Sequence, residues 1–192
     1  MTNDPHAAMT LPDGAPDGLA LATALTPAEQ REALARVHAL SYTHDVFRGR
    51  AMRRGYAQFG HAYVSVGRRL EAVTPIPPWL AELASQTLSR VGASWRAFDQ
   101  AIVTRYPKGA GIGWHTDAAV FGPQVMILSL GAAARLQLRR DPSDRAPLTL
   151  ELQPGSALLL AGLARARWQH RVPPVTALRY SITLRHVARP TG

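Results

Sequence analysis

From residue 100 onward the chain breaks into short β-prone runs at 100–106, 125–130, 135–139, 148–152, 157–160 and 178–187, parted by turn residues, with no helical pattern between them. Many short strands without intervening helices exclude a βαβ fold and predict an antiparallel sandwich, jelly roll or barrel. The first hundred residues differ. Thr26-Pro27-Ala28-Glu29 has the form of a capped helix start, with proline at the first helical position and glutamate at the third, and predicts a helix over 26–40. Pro77-Pro78 opens a second one, whose Leu80, Leu83, Ala84, Leu88 and Val91 form one apolar stripe suited to packing on a sheet and which Gly92 would end. Residues 1–17, rich in proline and turn signals, are expected to be a flexible tail. Residues 18–192 would then form a single domain, since 192 residues are too few for two ordinary cores.

Composition narrows the chemistry. With 46% hydrophobic and 18% charged residues the chain reads as a globular protein, and no apolar run is long enough to span a bilayer. No Lys or Arg precedes Arg31, so a basic signal region is lacking and a cytoplasmic monomer without membrane contact is expected. Zero cysteines exclude disulfides, thiolate metal sites and a cysteine nucleophile, leaving His, Asp and Glu as metal ligands. A net charge of +9 suits a polyanionic partner such as nucleic acid. Of the 22 basic residues only Lys108 is lysine, and an Arg- and Ala-rich chain also follows from coding bias, so charge alone leaves both explanations open.

Three short segments carry chemistry. In Gly111-Ile112-Gly113-Trp114-His115-Thr116-Asp117, His115 and Asp117 stand two apart near a strand end and would point to one face. Alone, such a pair is as well explained by a surface histidine beside a turn aspartate. His170, in Trp168-Gln169-His170, would complete two imidazoles and a carboxylate, the facial set that leaves open positions on iron(II). Among other histidines His61 remains a competitor. The third segment is Arg179-Tyr180-Ser181-Ile182-Thr183-Leu184-Arg185. On a strand Arg179, Ser181, Thr183 and Arg185 share one face and Tyr180, Ile182 and Leu184 the other. If the first face points inward, two guanidiniums need an anion, and a dicarboxylate such as 2-oxoglutarate would satisfy them. If it points outward, the arginines are simply solvated. Tyr106 could donate to the same carboxylate.

Together with Tyr106-Pro107, Gly109-Ala110, Ser129-Leu130-Gly131, Phe59-Gly60 with Tyr63, and Pro75-Ile76-Pro77-Pro78-Trp79-Leu80, these segments resemble the AlkB family of oxidative dealkylases, most closely over 100–187 and in its bacterial form. The resemblance implies an α+β, mainly β fold: a double-stranded β-helix, or jelly roll, with N-terminal helices packed on it and a nucleotide lid at about 45–70. It implies iron(II), 2-oxoglutarate and O₂, with His115, Asp117 and His170 as ligands, Arg179 and Tyr106 on the distal carboxylate and Arg185 near the metal-bound end. Thr104 and Ser181 stand where the founding type has Asn, so their co-substrate contacts, like that of Thr183, are expected from position. Where that type has a second Asp reading the damaged base, this chain has Ala119.

In the lid segment Arg48, Arg50, Arg53, Arg54, Arg68 and Arg69 mix with Tyr56, Phe59 and Tyr63, as phosphate contacts and base stacking require. A solvated basic hairpin with its aromatics in the core fits equally well. Arg53, Arg54, Tyr56, Phe59, Tyr63 and Trp114 are the expected substrate contacts, although Trp114 would also serve as barrel filling. The activity implied is dealkylation of N-alkylated bases in DNA or RNA. The alternatives are the same oxygenase chemistry on a protein or small molecule, and a non-catalytic basic nucleic-acid-binding module.

Overall fold

The computed structural model describes residues 7–47, 49–64, 69–93 and 98–188. In chain order the elements are β1 (Leu19–Thr23), α1 (Pro27–His38), β2 (Val46–Phe47), β3 (Arg50–Ala51), β4 (Gly55–Val64), β5 (Arg69–Ala72), α2 (Pro78–Arg90), β6 (Gln100–Tyr106), β7 (Ile112–His115), β8 (Phe121–Gly131), β9 (Ala134–Arg139), β10 (Leu148–Leu152), β11 (Ser156–Leu160), α3 (Gly162–Arg167), β12 (Gln169–Val172) and β13 (Arg179–Val187). Seven strands form one antiparallel sheet in the order β1-β11-β8-β13-β6-β4-β5, four form a second in the order β10-β9-β12-β7, and β2 and β3 make a small hairpin.

Both long helices form where their end signals lie. At α1 the Thr26 hydroxyl accepts from Glu29 N at 3.3 Å and the Glu29 carboxylate accepts from Thr26 N at 2.7 Å, so two helix-end donors are matched. Arg90, in the last turn of α2, reaches Glu29 at 2.9 Å and ties the two helices together. They cover one face of the large sheet. Tyr180, Ile182 and Leu184 of β13 point to that face, as alternation predicts, with Leu80, Ala84 and Leu88 of α2 in the same buried cluster. The other face looks toward the small sheet. There Val125, Leu158 and Leu160 meet Leu136, Leu138, Leu150 and Leu152 in a second cluster, each buried leucine contributing roughly 1.5–3 kcal/mol. The interior between the sheets is thus apolar toward β10 and β11. Toward β6 and β13 it carries the polar ladder instead.

Two expectations need correction. The presumed tail lies along the sheet edge from residue 7 onward: Met9 N donates to Leu21 O at 2.8 Å, Thr23 N to Ala7 O at 3.1 Å, and Met9, Leu11 and Ala15 pack on the second cluster. Covering the unpaired edge of β1 is what holds it there. Residues 1–6 lie outside the described residues. A helix, α3, does interrupt the strand-rich half. At six residues it is too short to show a period of 3.6. The expected lid segment, whose secondary structure the sequence left open, is largely sheet: β4 pairs with β6 along 55–60 and with β5 along 61–64. Arg48 and Arg68 lie outside the described residues, while Arg50 and Arg69 sit exposed on β3 and β5. Among the described residues no helix is long and apolar enough to cross a membrane.

Candidate active site

The inner face of β13 is a ladder of polar rungs. Arg179 stands opposite Tyr106 on β6 and Gly131 on β8, Ser181 opposite Thr104 and Ser129, Thr183 opposite Ile102 and Ile127, and Arg185 opposite Gln100 and Val125. Arg179 is 1% exposed. Its Nη2 donates to Ser129 Oγ at 3.1 Å and its guanidinium lies 5.1 Å from the centre of the Tyr106 ring, while Nε and Nη1 have no hydrogen-bond partner among the described residues. Burial lowers its pKa against the opposing pull of Tyr106. A buried cation with two unmatched donors suits an anionic ligand.

The small sheet brings two imidazoles together at the other end. His115 on β7 pairs in register with His170 on β12, and their rings lie 4.3 Å apart. Between this pair and the next, Val172 with Ile112, β7 holds one extra residue, a β-bulge at Gly113-Trp114. The bulge resets the alternation, so Ile112 and His115 both line the cavity. His115 Nδ1 donates to Gly113 O at 2.8 Å, which leaves its Nε2 lone pair available. Asp117 follows β7, with a side chain 2% exposed and Oδ2 3.7 Å from His170 Nε2. Arg185 rests against Oδ1 as an ion pair without hydrogen-bond alignment, and donates to Gln100 Oε1 at 3.0 Å.

Burial alone would raise the Asp117 pKa, but Arg185, then His170, His115 and Arg165, hold it below the usual value. Burial, helped by His115, pushes His170 down to about 4. Near neutral pH this corner therefore presents a carboxylate and a neutral imidazole, the protonation states a metal requires. Among the described residues no three such side chains stand ready-made as a cation site. Arg185 holds the Asp117 carboxylate in this arrangement.

One cavity of about 350 Å³ runs between the two ends. Ile112, Ile127, Leu136 and Val172 line it apolarly, and its outer wall is Tyr56, Gln58 and Tyr63 of β4 with Asp45 and with Arg54, which immediately precedes that strand. Tyr56 donates to Asp45 Oδ1 at 2.9 Å, Arg54 approaches the same carboxylate at 3.8 Å, and Tyr63 stands edge-on to Phe121 at 6.2 Å. Gln58 Oε1 is buried without a hydrogen-bond partner among the described residues.

Residues 19–185 match the family model of the 2OG-Fe(II) oxygenase superfamily. The chain belongs to this superfamily. As a member it is an iron(II)- and 2-oxoglutarate-dependent oxygenase. It is 28% identical over 168 residues to a protein named "Alkylated DNA repair protein ALKBH8 homolog" of Arabidopsis thaliana, an alignment covering 78% of this chain and 48% of that one, so it spans about half the length of this relative. Its fold matches the solved structure of OsALKBH1 with a TM-score of 0.73 at 17% identity, covering 92% of this chain and 100% of the other. A prolyl hydroxylase from Trichoplax adhaerens matches with a TM-score of 0.61 at 19% identity, covering 89% and 84%. These likenesses bear on fold, and the jelly roll, one of three architectures open to the strand pattern and the one implied by the family resemblance, is the fold of this oxygenase.

The cavity gathers His115, Asp117, His170, Thr104, Tyr106, Arg179, Ser181, Thr183 and Arg185 from four separate segments, with Arg54, Tyr56 and Tyr63 at its outer wall. Three expected substrate contacts lie elsewhere. Phe59 is 8% exposed in the helix-side cluster, because alternation along β4 turns it away from Tyr56 and Gln58. Trp114 points to the outer face of the small sheet, where Arg139 and Arg171 lie 4.3 and 4.6 Å from its ring. The bulge put it there. Arg53 is exposed and lies over Gly109 rather than in the cavity. Sequence reasoning missed Asp45 and Gln58, for which strand alternation from Tyr56 was the available signal for Gln58, and Arg165, for which there was none.

Proposed function

We propose that this oxygenase removes N-alkyl groups from bases of DNA or RNA, holding iron(II) with His115, Asp117 and His170. The observation that carries the metal assignment is the convergence of two neighbouring imidazoles and a low-pKa carboxylate on one cavity, a nitrogen and oxygen donor set suited to iron(II). The unmatched donors of Arg179, with Tyr106 beside them, fit the distal carboxylate of 2-oxoglutarate. Thr104, Ser181 and Thr183 line its path, and Arg185 keeps Asp117 ionised and oriented. When bound, iron(II) with 2-oxoglutarate and O₂ supplies the oxidation that hydroxylates an alkyl carbon, yielding succinate and CO₂ and releasing that carbon as an aldehyde.

The chain's own part is position and exclusion. Ile112, Ile127, Leu136 and Val172 keep water from the reacting end. Arg54 and Tyr56 at the wall suit a phosphate and a stacked base. Ala119 offers no polar group, which leaves Gln58 and Tyr56 to meet the hydrogen-bonding edge of a base. The name of the Arabidopsis relative supports an alkylated nucleic acid as substrate.

The test is succinate and aldehyde release with methylated DNA, methylated RNA and methylated peptides, using anaerobically loaded protein. Nucleic-acid-dependent turnover is expected, and turnover with peptides alone would overturn the substrate. For the ligands, His115→Ala and Asp117→Ala should each abolish tight metal binding, and wild-type affinity in both would sink the site.

A further inference from the structure

Arg165 sits in α3, between β11 and the strand carrying His170. Its Nη1 donates to the Asp117 carbonyl at 3.2 Å, and its Nη2 to the carbonyls of Ala118 at 3.0 Å and Phe121 at 3.4 Å. The same segment closes a turn, with Phe121 N donating to Ala118 O at 3.1 Å. Three carbonyl oxygens thus converge on one guanidinium. Without it the three carbonyls would lose their shared charged donor, and Ala118 O would keep only the turn hydrogen bond from Phe121 N.

We infer that Arg165 is a positioning residue for the metal: by clamping the backbone of 117–121 it presents the Asp117 carboxylate to the cavity. This rests on the reading of Asp117 as a ligand. The clamp is itself anchored. Ala161 N donates to Gly18 O at 2.7 Å and Ala164 N to Asp17 O at 3.0 Å, so α3 hangs from the start of β1. Gly18 has φ +86°, and a Cβ there would collide with the Ala161 carbonyl, which makes that close approach a glycine contact. From α3 the chain runs directly through Trp168 to His170. One short helix therefore ties the loop bearing the carboxylate to the strand bearing an imidazole, and sets their spacing. Lysine in place of Arg165 could reach one or two of the three carbonyls but lacks the planar fork that meets all of them.

The experiment titrates Mn(II), a redox-inert stand-in, into metal-free full-length protein and follows tryptophan fluorescence. It is paired with amide exchange across 118–121 and thermal melting without metal. Arg165→Met should weaken Mn(II) binding about 10- to 100-fold, as loss of an outer-shell partner does. Arg165→Lys should fall between it and wild type, with faster exchange at 118–121 and an unchanged melting temperature. Arg167→Met, an exposed neighbour on the same helix, should bind as wild type does. Should Arg165→Met fail to fold, Arg165→Lys decides: weakened binding upholds the clamp and wild-type affinity overturns it. Asp117→Ala separates the two claims. If it loses Mn(II) while both Arg165 variants retain wild-type affinity, the clamp alone is wrong; if it binds normally, the ligand assignment has failed and the clamp with it.

Discussion

β13 and β4 belong to one sheet with only β6 between them, yet their cavity faces are built on opposite terms. On β13, Arg179 is buried with two donors unmatched, and Arg185 leans on a carboxylate that is itself buried. On the β4 side, Arg54, just before the strand, and Tyr56 share the exposed carboxylate of Asp45 and have little left over. Groups of the first kind gain several kcal/mol when an anion arrives, because they cannot reach water otherwise. Groups of the second kind exchange one partner for another in solvent, worth a few tenths to one kcal/mol each. Co-substrate binding should therefore hang on a few large terms and substrate binding on many small ones.

The largest effect is expected on the reverse side of β4. Phe59→Ala should cost about 3–5 kcal/mol in denaturant unfolding and leave 2-oxoglutarate affinity intact. A stable variant with altered substrate choice would return Phe59 to the cavity and undo the contrast. Acid should act next. The folded pKa of His170, about 4, lies below its unfolded value of 6.5, so the folded state takes up that proton later than the unfolded chain does. Its contribution is complete above pH 6.5 and drains away as pH falls to about 4, for a loss on the order of 3 kcal/mol in metal-free protein. Asp117, also depressed, adds loss of the same sign at lower pH. Urea titrations across pH should show the slope between pH 6.5 and 4, and His170→Asn should flatten it; an equal slope in the variant would contradict the burial argument.

Arg179→Met comes third. Succinate release should fall about 100-fold, matching the charge-assisted contacts it removes, while metal-free stability holds or rises, since an imperfectly matched buried cation gives way to an apolar chain. A marked loss of stability with normal co-substrate affinity would recast Arg179 as a structural cation. Smallest is Arg54→Ala, for which about threefold weaker nucleic-acid binding at low salt is expected, vanishing as salt rises, with uncoupled 2-oxoglutarate turnover unchanged. A loss beyond tenfold would show that β4, like β13, relies on a few strong contacts.

The β13 ladder was legible because period-two alternation places Arg179, Ser181, Thr183 and Arg185 together wherever the strand lies, and an inward pair of arginines constrains the ligand. Capping at Thr26 and the Pro77-Pro78 start were legible for the same local reason. Trp114 was misplaced since nothing in Gly113-Trp114 distinguishes a bulge from two regular strand positions. Phe59 was misplaced because an Arg- and Tyr-rich strand looks alike from both faces until its partner is known. Arg165 was invisible: its carbonyl partners lie over forty positions earlier in the chain, and backbone acceptors leave no trace in residue identity.

β13 follows every other strand in the sequence and yet occupies the centre of the large sheet, flanked by β8 and β6. During synthesis those two neighbours emerge first and must wait with facing edges open, since neither pairs with the other. Closing the gap joins segments far apart in the chain, a slow kind of step that exposes unpaired edges to other molecules meanwhile. The strand inserted at that moment is the one bearing Arg179 and Arg185. Sheet completion and assembly of the polar ladder are thus a single kinetic event, so the cavity lacks Arg179 and Arg185 until β13 has joined its two neighbours.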